Sequence, residues 1–374
     1  MKPKSGPIYL QIAERLLSFF GQERYVKGDR LPTEYQLMDM FSVSRTTIRK
    51  ALDILEAREL ISRTPGRGTF YSGKALFESQ TPESKTLGLV NYFFMDYIYT
   101  EIIRGIEDEA ERAGYSLIIA NSNRNEERQL ESIQRLIDQR VAGLIIEPRR
   151  NLQLNEKDPL AEEIIKNASI PIVTTHWGIK AKSLSTVTLD DVYAGKVAGE
   201  YLLSRGHRNL AYIYKEDIQS GYDRLQGFRQ AVENAGLCLG PDRLYPFNDD
   251  DEAKNNLQGY LLTLEALADP ANRPSAIFYF NDNLAVQGYR AIAELGLRIP
   301  EDISVLGFDD HSTASIVSPA LTTFEHPKYD LGRWVAKILI DEIEYKATAL
   351  PIKLIFEPKL IERGSVHTIS NGKT

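Results

Sequence analysis

The chain is poor in the residues that metal, disulfide and thiol chemistry require. It has one cysteine, Cys238, in 374 residues, so neither an internal disulfide nor a cysteine-rich zinc site can form. Such usage fits a reducing cytoplasm. Its five histidines include no His-x-x-x-His pair, which leaves no helical zinc motif. No apolar run approaches the roughly 18–20 residues of a membrane span. The opening MKPKSGPIYLQ carries basic residues but no apolar h-region, so no secretory signal is expected. A Gly-x-Ser-x-Gly elbow, a Walker loop and a Gly-x-Gly-x-x-Gly turn are all missing, and Gly66-Arg67-Gly68 is too short to cradle a nucleotide. Adjacent acids such as Asp190-Asp191 and Asp309-Asp310 would face opposite sides of a strand, which argues against an acid–base pair. No enzyme activity and no cofactor are expected.

The chain is 43% apolar and 26% charged, an ordinary globular balance at a length that suits two or three domains. Its net charge of −7 conceals an asymmetry. Residues 1–75 hold 13 Lys+Arg against 8 Asp+Glu, whereas the others hold 32 against 44. A basic head on an acidic body suggests a polyanion-binding module joined to something else.

The head reads as three helices and a β-ribbon. Ile8, Ile12, Leu16 and Phe19 recur at helical spacing from Pro7 to Phe20. Thr33 with Gln36 has capping-box form and opens a short helix from Glu34 to about Phe41. Ser44 caps a third helix, Arg45 to about Arg58, with Ile48, Ala51, Leu52 and Leu55 on its apolar face. Leu60–Arg63 and Thr69–Tyr71 are strands joined by a Gly-rich turn. This is a winged helix-turn-helix over residues 1–71. The third helix presents Arg45, Thr46, Thr47 and Arg49 at its start, where a major-groove helix contacts base edges. Arg45 and Arg49 share a face, and arginine pairs bidentately with guanine. Arg67, before Gly68, is placed to reach the minor groove or a phosphate. Glu34 either accepts a hydrogen bond from cytosine or orients Arg45 and Arg49.

Residues 72–85 lose periodicity and read as a linker. From Thr86 short apolar runs alternate with helical segments, among them Leu87–Tyr92, Gly143–Glu147, Leu210–Tyr214, Ala276–Phe280 and Ser304–Phe308. The pattern predicts parallel sheets covered by helices. Residues 86–366 are too many for one such sheet, so two lobes are expected, with a polar tail over 367–374.

The head resembles the DNA-binding domain of GntR-family regulators through Arg30-Leu31-Pro32-Thr33-Glu34, Val43 to Leu52 and Gly66-Arg67-Gly68-Thr69-Phe70. In that family the positions of Glu34, Arg45, Thr47, Arg49 and the wing turn face DNA. The body resembles the effector core of LacI/GalR regulators, a two-lobed α/β fold like periplasmic binding proteins. The matching pieces include Ile102–Glu107, Arg224-Leu225-Gln226-Gly227-Phe228, Asn281-Asp282, Pro300 to Val305, Gly307-Phe308-Asp309-Asp310 and Leu321-Thr322-Thr323. The rarer pairing of this head with this body, together with Asp96-Tyr97-Ile98, Glu147-Pro148 and His326-Pro327-Lys328, resembles the subgroup that governs arabinose operons. That resemblance implies L-arabinose as effector.

Ligands of open α/β sheets bind off the C-terminal ends of strands. The candidates there are Asp96, Tyr97, Glu147, His176 and Trp177 in the first lobe, and Arg224, Asp282 and His326 in the second. Carboxylates accept from sugar hydroxyls, arginine donates to them, and aromatic rings cover the C–H face. The resemblance places Arg224 and Asp282 at effector-binding positions, and Glu147, His176 and His326 at contact positions. Each has a plainer alternative: core or rim packing for Tyr97 and Trp177, a loop role for His176, a structural ion pair for Arg224, a helix cap for Asp282. The expected function is a cytoplasmic repressor that binds duplex operator DNA as a homodimer and releases it on binding the sugar. The alternatives are another sugar or a purine as effector, or a sugar receptor with a non-functional head.

Overall fold

The computed structural model describes residues 9, 12, 13, 15, 16, 19, 20, 25, 28–57, 60–64, 67–72, 84–93, 97–148, 170–176, 184–344 and 351–369. The chain divides into two units between Glu83 and Ser84.

In the first unit, helix α1 spans Glu34–Phe41 and helix α2 spans Arg45–Ala57. The Thr33 hydroxyl and the Gln36 side chain form the reciprocal capping box that starts α1. Ser42 ends it in the left-handed region at φ 52°. Ser44 Oγ then accepts from Thr47 N at 3.2 Å and starts α2. Ile48, Leu52 and Leu55 of α2 are buried with Leu37 of α1 and with Ile12, Leu16 and Phe20, which are helical. Strands β1 (Ile61–Thr64) and β2 (Gly68–Tyr71) pair antiparallel, with Thr64 opposite Gly68. A helix, a tight left-handed turn, a second helix and a ribbon make the winged helix-turn-helix.

The second unit has two lobes. The first contains strands β3 (Thr86–Asn91), β4 (Ser116–Asn121), β5 (Gly143–Ile146), β6 (Ile172–His176) and β7 (Ser185–Leu189), with helices α3 (Ile98–Arg112) and α4 (Glu126–Asp138). The second contains α5 (Asp191–Ser204), β8 (Leu210–Lys215), α6 (Gln219–Asn234), β9 (Leu244–Phe247), α7 (Asp249–Lys254), α8 (Gln258–Ala266), β10 (Ala276–Tyr279), α9 (Asp282–Glu294), β11 (Ser304–Leu306) and β12 (Thr323–Glu325). Helix α10 (Lys328–Glu344) returns to the first lobe, where Leu331, Val335 and Leu339 pack with Ile102 and Ile106 of α3. Strand β13 (Lys353–Phe356) also lies there, and β14 (Lys359–Ile361) goes back to pair antiparallel with β12. The first sheet runs β13-β7-β6-β5-β3-β4 and the second β11-β10-β8-β9, with every pair parallel. The chain thus crosses between lobes three times, at Leu189–Asp191, Glu325–Lys328 and Phe356–Lys359. Three short crossings of this kind let two rigid sheets hinge about a shared cleft.

The expectation of a polar tail from residue 367 is corrected in part. His367 N donates to Ser304 Oγ (3.2 Å) and Ile369 N to Arg205 O (2.7 Å), so these residues are packed on the second lobe. Residues 370–374 lie outside the described residues, as do 73–83 of the expected linker.

His207 is fully buried beneath the second sheet, with Nδ1 2.9 Å from Ser275 Oγ and Nε2 3.2 Å from the His367 carbonyl. Burial pushes its pKa down to about 4. The unfolded chain takes up a proton near 6.5, before the folded chain does. Stability is therefore full above that pH and falls as the pH drops toward 4, by at most about 3 kcal/mol. Urea unfolding at pH 7 and pH 5 should show the loss, and His207→Asn should flatten it. An unchanged slope in that variant would assign the loss to another group.

Candidate nucleic-acid interface and ligand cleft

Helix α2 opens with its polar face outward. Arg45 and Arg49 keep 50% and 60% of their side-chain surface exposed although both are held. Arg45 Nε donates to Glu34 Oε2 at 2.9 Å, and Arg49 Nε donates to Glu34 Oε1 at 3.2 Å. Both Glu34 oxygens are thus engaged by the two arginines. Arg45 also lies over the Tyr35 ring, 5.2 Å from its centroid. Thr46 is exposed, and the Thr47 and Ser44 hydroxyls are 2.8 Å apart. In the wing Arg67 is exposed, and its N–H donates to Thr64 O at 2.9 Å. Gly68 has φ +120°, and a Cβ there would sit 2.8 Å from Arg30 Nε. Arg30 therefore lies against the wing turn, a cation that sequence reasoning did not single out.

Between the lobes of the second unit is a cavity of about 120 Å³, far more than the roughly 10–15 Å³ that one water needs. From the first lobe Glu147, past the end of β5 and only 3% exposed, faces it. Its carboxylate accepts from Tyr92 N at 3.1 Å and from the Tyr99 hydroxyl. From the second lobe comes Arg224, 5% exposed. Its Nε donates to Asp191 Oδ1 and its Nη1 to Phe280 O, each at 2.7 Å, and its guanidinium lies 3.6 Å from the Phe308 ring centroid. Burial pushes Asp191 up to about 6, still low enough to be ionised beside Arg224 at neutral pH. Helices α5 and α6 approach closely because Gly195 and Gly227 face the partner backbone; a Cβ on Gly195 would sit 2.0 Å from Arg224 O. That approach is what brings Arg224 to Asp191.

Asp309 and His326 form the cavity's third wall, with Oδ1 and Nδ1 3.6 Å apart. Burial would raise the Asp309 pKa, but His326, Arg224 and the Tyr97 hydroxyl outweigh it and hold the carboxyl below the usual range. The reading of Asp309-Asp310 as strand neighbours is corrected. They have φ 103° and 47°, outside β geometry. This twist lines the cavity with Asp309, while Asp310 pairs with Arg363 at 2.6 Å.

Tyr97 sits at the mouth, donating to Asp309, with its ring centroid 4.1 Å from that of His311 and the two planes tilted by 52°. Asp96 and Trp177 lie outside the described residues, as does the side chain of His176, whose backbone pairs with Thr188 in β7. Asp282 does not line the cavity. It is fully buried, accepting from Thr323 Oγ1 (2.6 Å) and His311 N (2.7 Å). Burial, then the charge of Asp309, pushes its pKa up to about 8. The helix cap is Asn281, which also lines the cavity. Asn281, Asp309 and Asp191 are thus wall residues that sequence reasoning missed, as are Lys215, Asp249, Glu252 and Arg124. Lys215 ends β8, so the strand-end rule could have found it.

The description of bacterial regulatory proteins of the gntR family matches residues 8–70, and that of the periplasmic binding protein-like domain matches residues 200–366. The arabinose metabolism transcriptional repressor of Geobacillus stearothermophilus is 32% identical over 370 residues, 99% of this chain and 100% of that one. The HTH-type transcriptional repressor PurR of Erwinia tasmaniensis is 32% identical over 299 residues, 79% of this chain and 84% of that one. Among solved structures, a sugar-binding transcriptional regulator of the LacI family from Escherichia coli, complexed with phosphate, has a TM-score of 0.66 at 25% identity. That match covers 76% of this chain and 99% of the other. These relatives are regulators, not enzymes. The chain belongs to the family of transcriptional repressors that join a GntR-type DNA-binding domain to a periplasmic binding protein-like domain, the family that includes the arabinose metabolism repressors.

Proposed function

We propose that this protein represses transcription in the cytoplasm as a homodimer on a near-palindromic operator and leaves it when L-arabinose binds between the lobes. Two heads on one two-fold dimer match two half-sites. Arg45, Thr46, Thr47, Arg49, Arg67 and Gly68 meet the DNA, with Glu34 orienting the arginines. Glu147, Arg224 and His326 meet the sugar, with Asn281 and Asp309 in the place expected of Asp282. Tyr97 closes the mouth, and Asp96 and His176 are retained as candidates from their positions past β3 and in β6.

The observation that carries this reading is the cavity itself: a small chamber where buried carboxylates face a buried guanidinium. Such a wall suits a neutral polyol, because each hydroxyl both donates and accepts. Full-length similarity to an arabinose metabolism repressor supports the choice of sugar. Binding shifts the operator equilibrium only by the difference in sugar affinity between the free and DNA-bound forms. Calorimetry of the full chain against L-arabinose, D-galactose, D-ribose and hypoxanthine tests it, with operator mobility shifts in parallel. L-arabinose should bind and should release operator over the same concentration range. Hypoxanthine binding would replace the effector, and sugar binding without operator release would remove the regulatory role.

A further inference from the structure

At the outer end of the cleft two cations and two carboxylates meet from both lobes. Arg124, which follows β4 in the first lobe, donates from Nη2 to Glu252 Oε2 at 3.0 Å, and its Nε is 3.6 Å from Asp249 Oδ1. Both carboxylates belong to α7 of the second lobe. Lys215 of the same lobe pairs with both, 2.7 Å from Asp249 Oδ1 and in contact with Glu252. Within the second lobe Lys215 faces the carboxylates of Asp249 and Glu252, with that of Asp217 also near. Arg124 brings a second cation to them across the cleft.

Arg124 is firmly aimed. Its N–H donates to Tyr92 O at 2.9 Å, and its carbonyl accepts from the Tyr92 hydroxyl at 3.1 Å. Its guanidinium lies 3.8 Å from the Phe93 ring centroid. Asn123 and Arg124 have φ 50° and 61°, two consecutive non-glycine residues in the left-handed region. Such a pair persists where surrounding contacts impose it. A second cavity at the mouth shares Phe93, Arg124, Glu252 and Asn281 with the inner one. The Arg124–Glu252 pair therefore stands between the chamber and the mouth.

We propose that Arg124 is a positioning residue that clasps the two lobes, its ion pairs with Glu252 and Asp249 forming as the cleft closes and retaining the ligand in the inner chamber. The proposal rests on the effector reading above for its ligand, but the clasp itself does not depend on which neutral sugar is bound. A neutral sugar brings no charge. Any dependence of its binding on ionic strength then comes from protein charges that pair on closure.

L-arabinose affinity of the full chain should fall about threefold between low and high salt, because a partly exposed pair is screened. Arg124→Gln should bind about fivefold more weakly at low salt and lose the salt dependence. Glu252→Gln, which leaves Arg124 its Asp249 contact, should lose affinity and salt dependence in part, and the double variant should be no worse than Arg124→Gln alone, the signature of a pair acting together. Additive losses with the salt dependence kept would mean that Arg124 serves the sugar directly, and would overturn the clasp. Wild-type affinity in Arg124→Gln would overturn it too. A sugar-free arm separates this from a wrong effector. Spin labels at Arg128→Cys and Glu301→Cys in a Cys238→Ser background report the distance between lobes. Arg124→Gln and Glu252→Gln should both shift it toward longer distances, and an unchanged distribution refutes the clasp even if no sugar of the panel binds.

Discussion

Arg49→Ala is expected to lower operator affinity about tenfold to hundredfold, the range of one lost bidentate base contact, while sugar binding stays as in wild type. Arg45→Ala should behave alike. The two arginines stand one turn apart on the exposed start of α2, and Ile48, Leu52 and Leu55 anchor the opposite face. Neither arginine belongs to the apolar core of the head, and both are half exposed. Glu34 enlarges the effect. It holds each arginine by one oxygen, so losing one partner would leave a half-neutralised carboxylate on the face proposed to meet phosphates. Mobility shifts beside calorimetry decide the matter, and wild-type operator affinity in both variants would displace α2 from the groove.

Arg224→Ala should abolish the sugar response: operator stays bound at L-arabinose concentrations that release the wild-type protein. The same change should lower stability by about 3–5 kcal/mol, because removing one member of a buried pair strands the other charge. That charge is Asp191, 7% exposed at the start of α5. The two effects can be separated. Arg224→Met with Asp191→Leu replaces the pair by apolar residues of similar bulk, which restores stability in comparable buried pairs. The double variant should fold and bind operator yet give no heat with L-arabinose. If it binds the sugar as the wild type does, Arg224 is a structural residue and the chamber's ligand contacts lie elsewhere.

The head was legible almost residue by residue, because its signals are short-ranged. The Thr33–Gln36 box, the Ser44 cap and the spacing of Ile48, Leu52 and Leu55 each act within one or two helical turns. The apolar strands of the body were legible for a similar reason. Strand β7, Ser185–Leu189, was not among the runs read from sequence: it is half polar rather than a continuous apolar run, and the Thr186 hydroxyl finds its partner, Thr174 at 2.7 Å, only on the neighbouring strand. Strand β13 hides because it is an edge with Lys353 and Ile355 exposed.

In the cleft, Glu147, Arg224 and His326 could be found from chain position, since strand ends and the helices after them face the crevice. Asn281 and Asp282 could not be told apart that way. The turn between β10 and α9 places Asn281 in the wall and Asp282 in the core, and only its backbone path decides which. Asp309 was discounted as a strand residue, whereas its positive φ departs from the strand and brings it to the cavity.

Local order therefore settled what kind of modules these are: helix starts, apolar faces and strand runs are written in neighbouring residues. Contacts between distant ones settled the chamber. Tyr97 reaches Asp309 across 212 positions, and Arg124 reaches Glu252 across 128. No local pattern encodes such meetings, because they exist only once the chain has passed between the lobes and set the strand ends of one against those of the other.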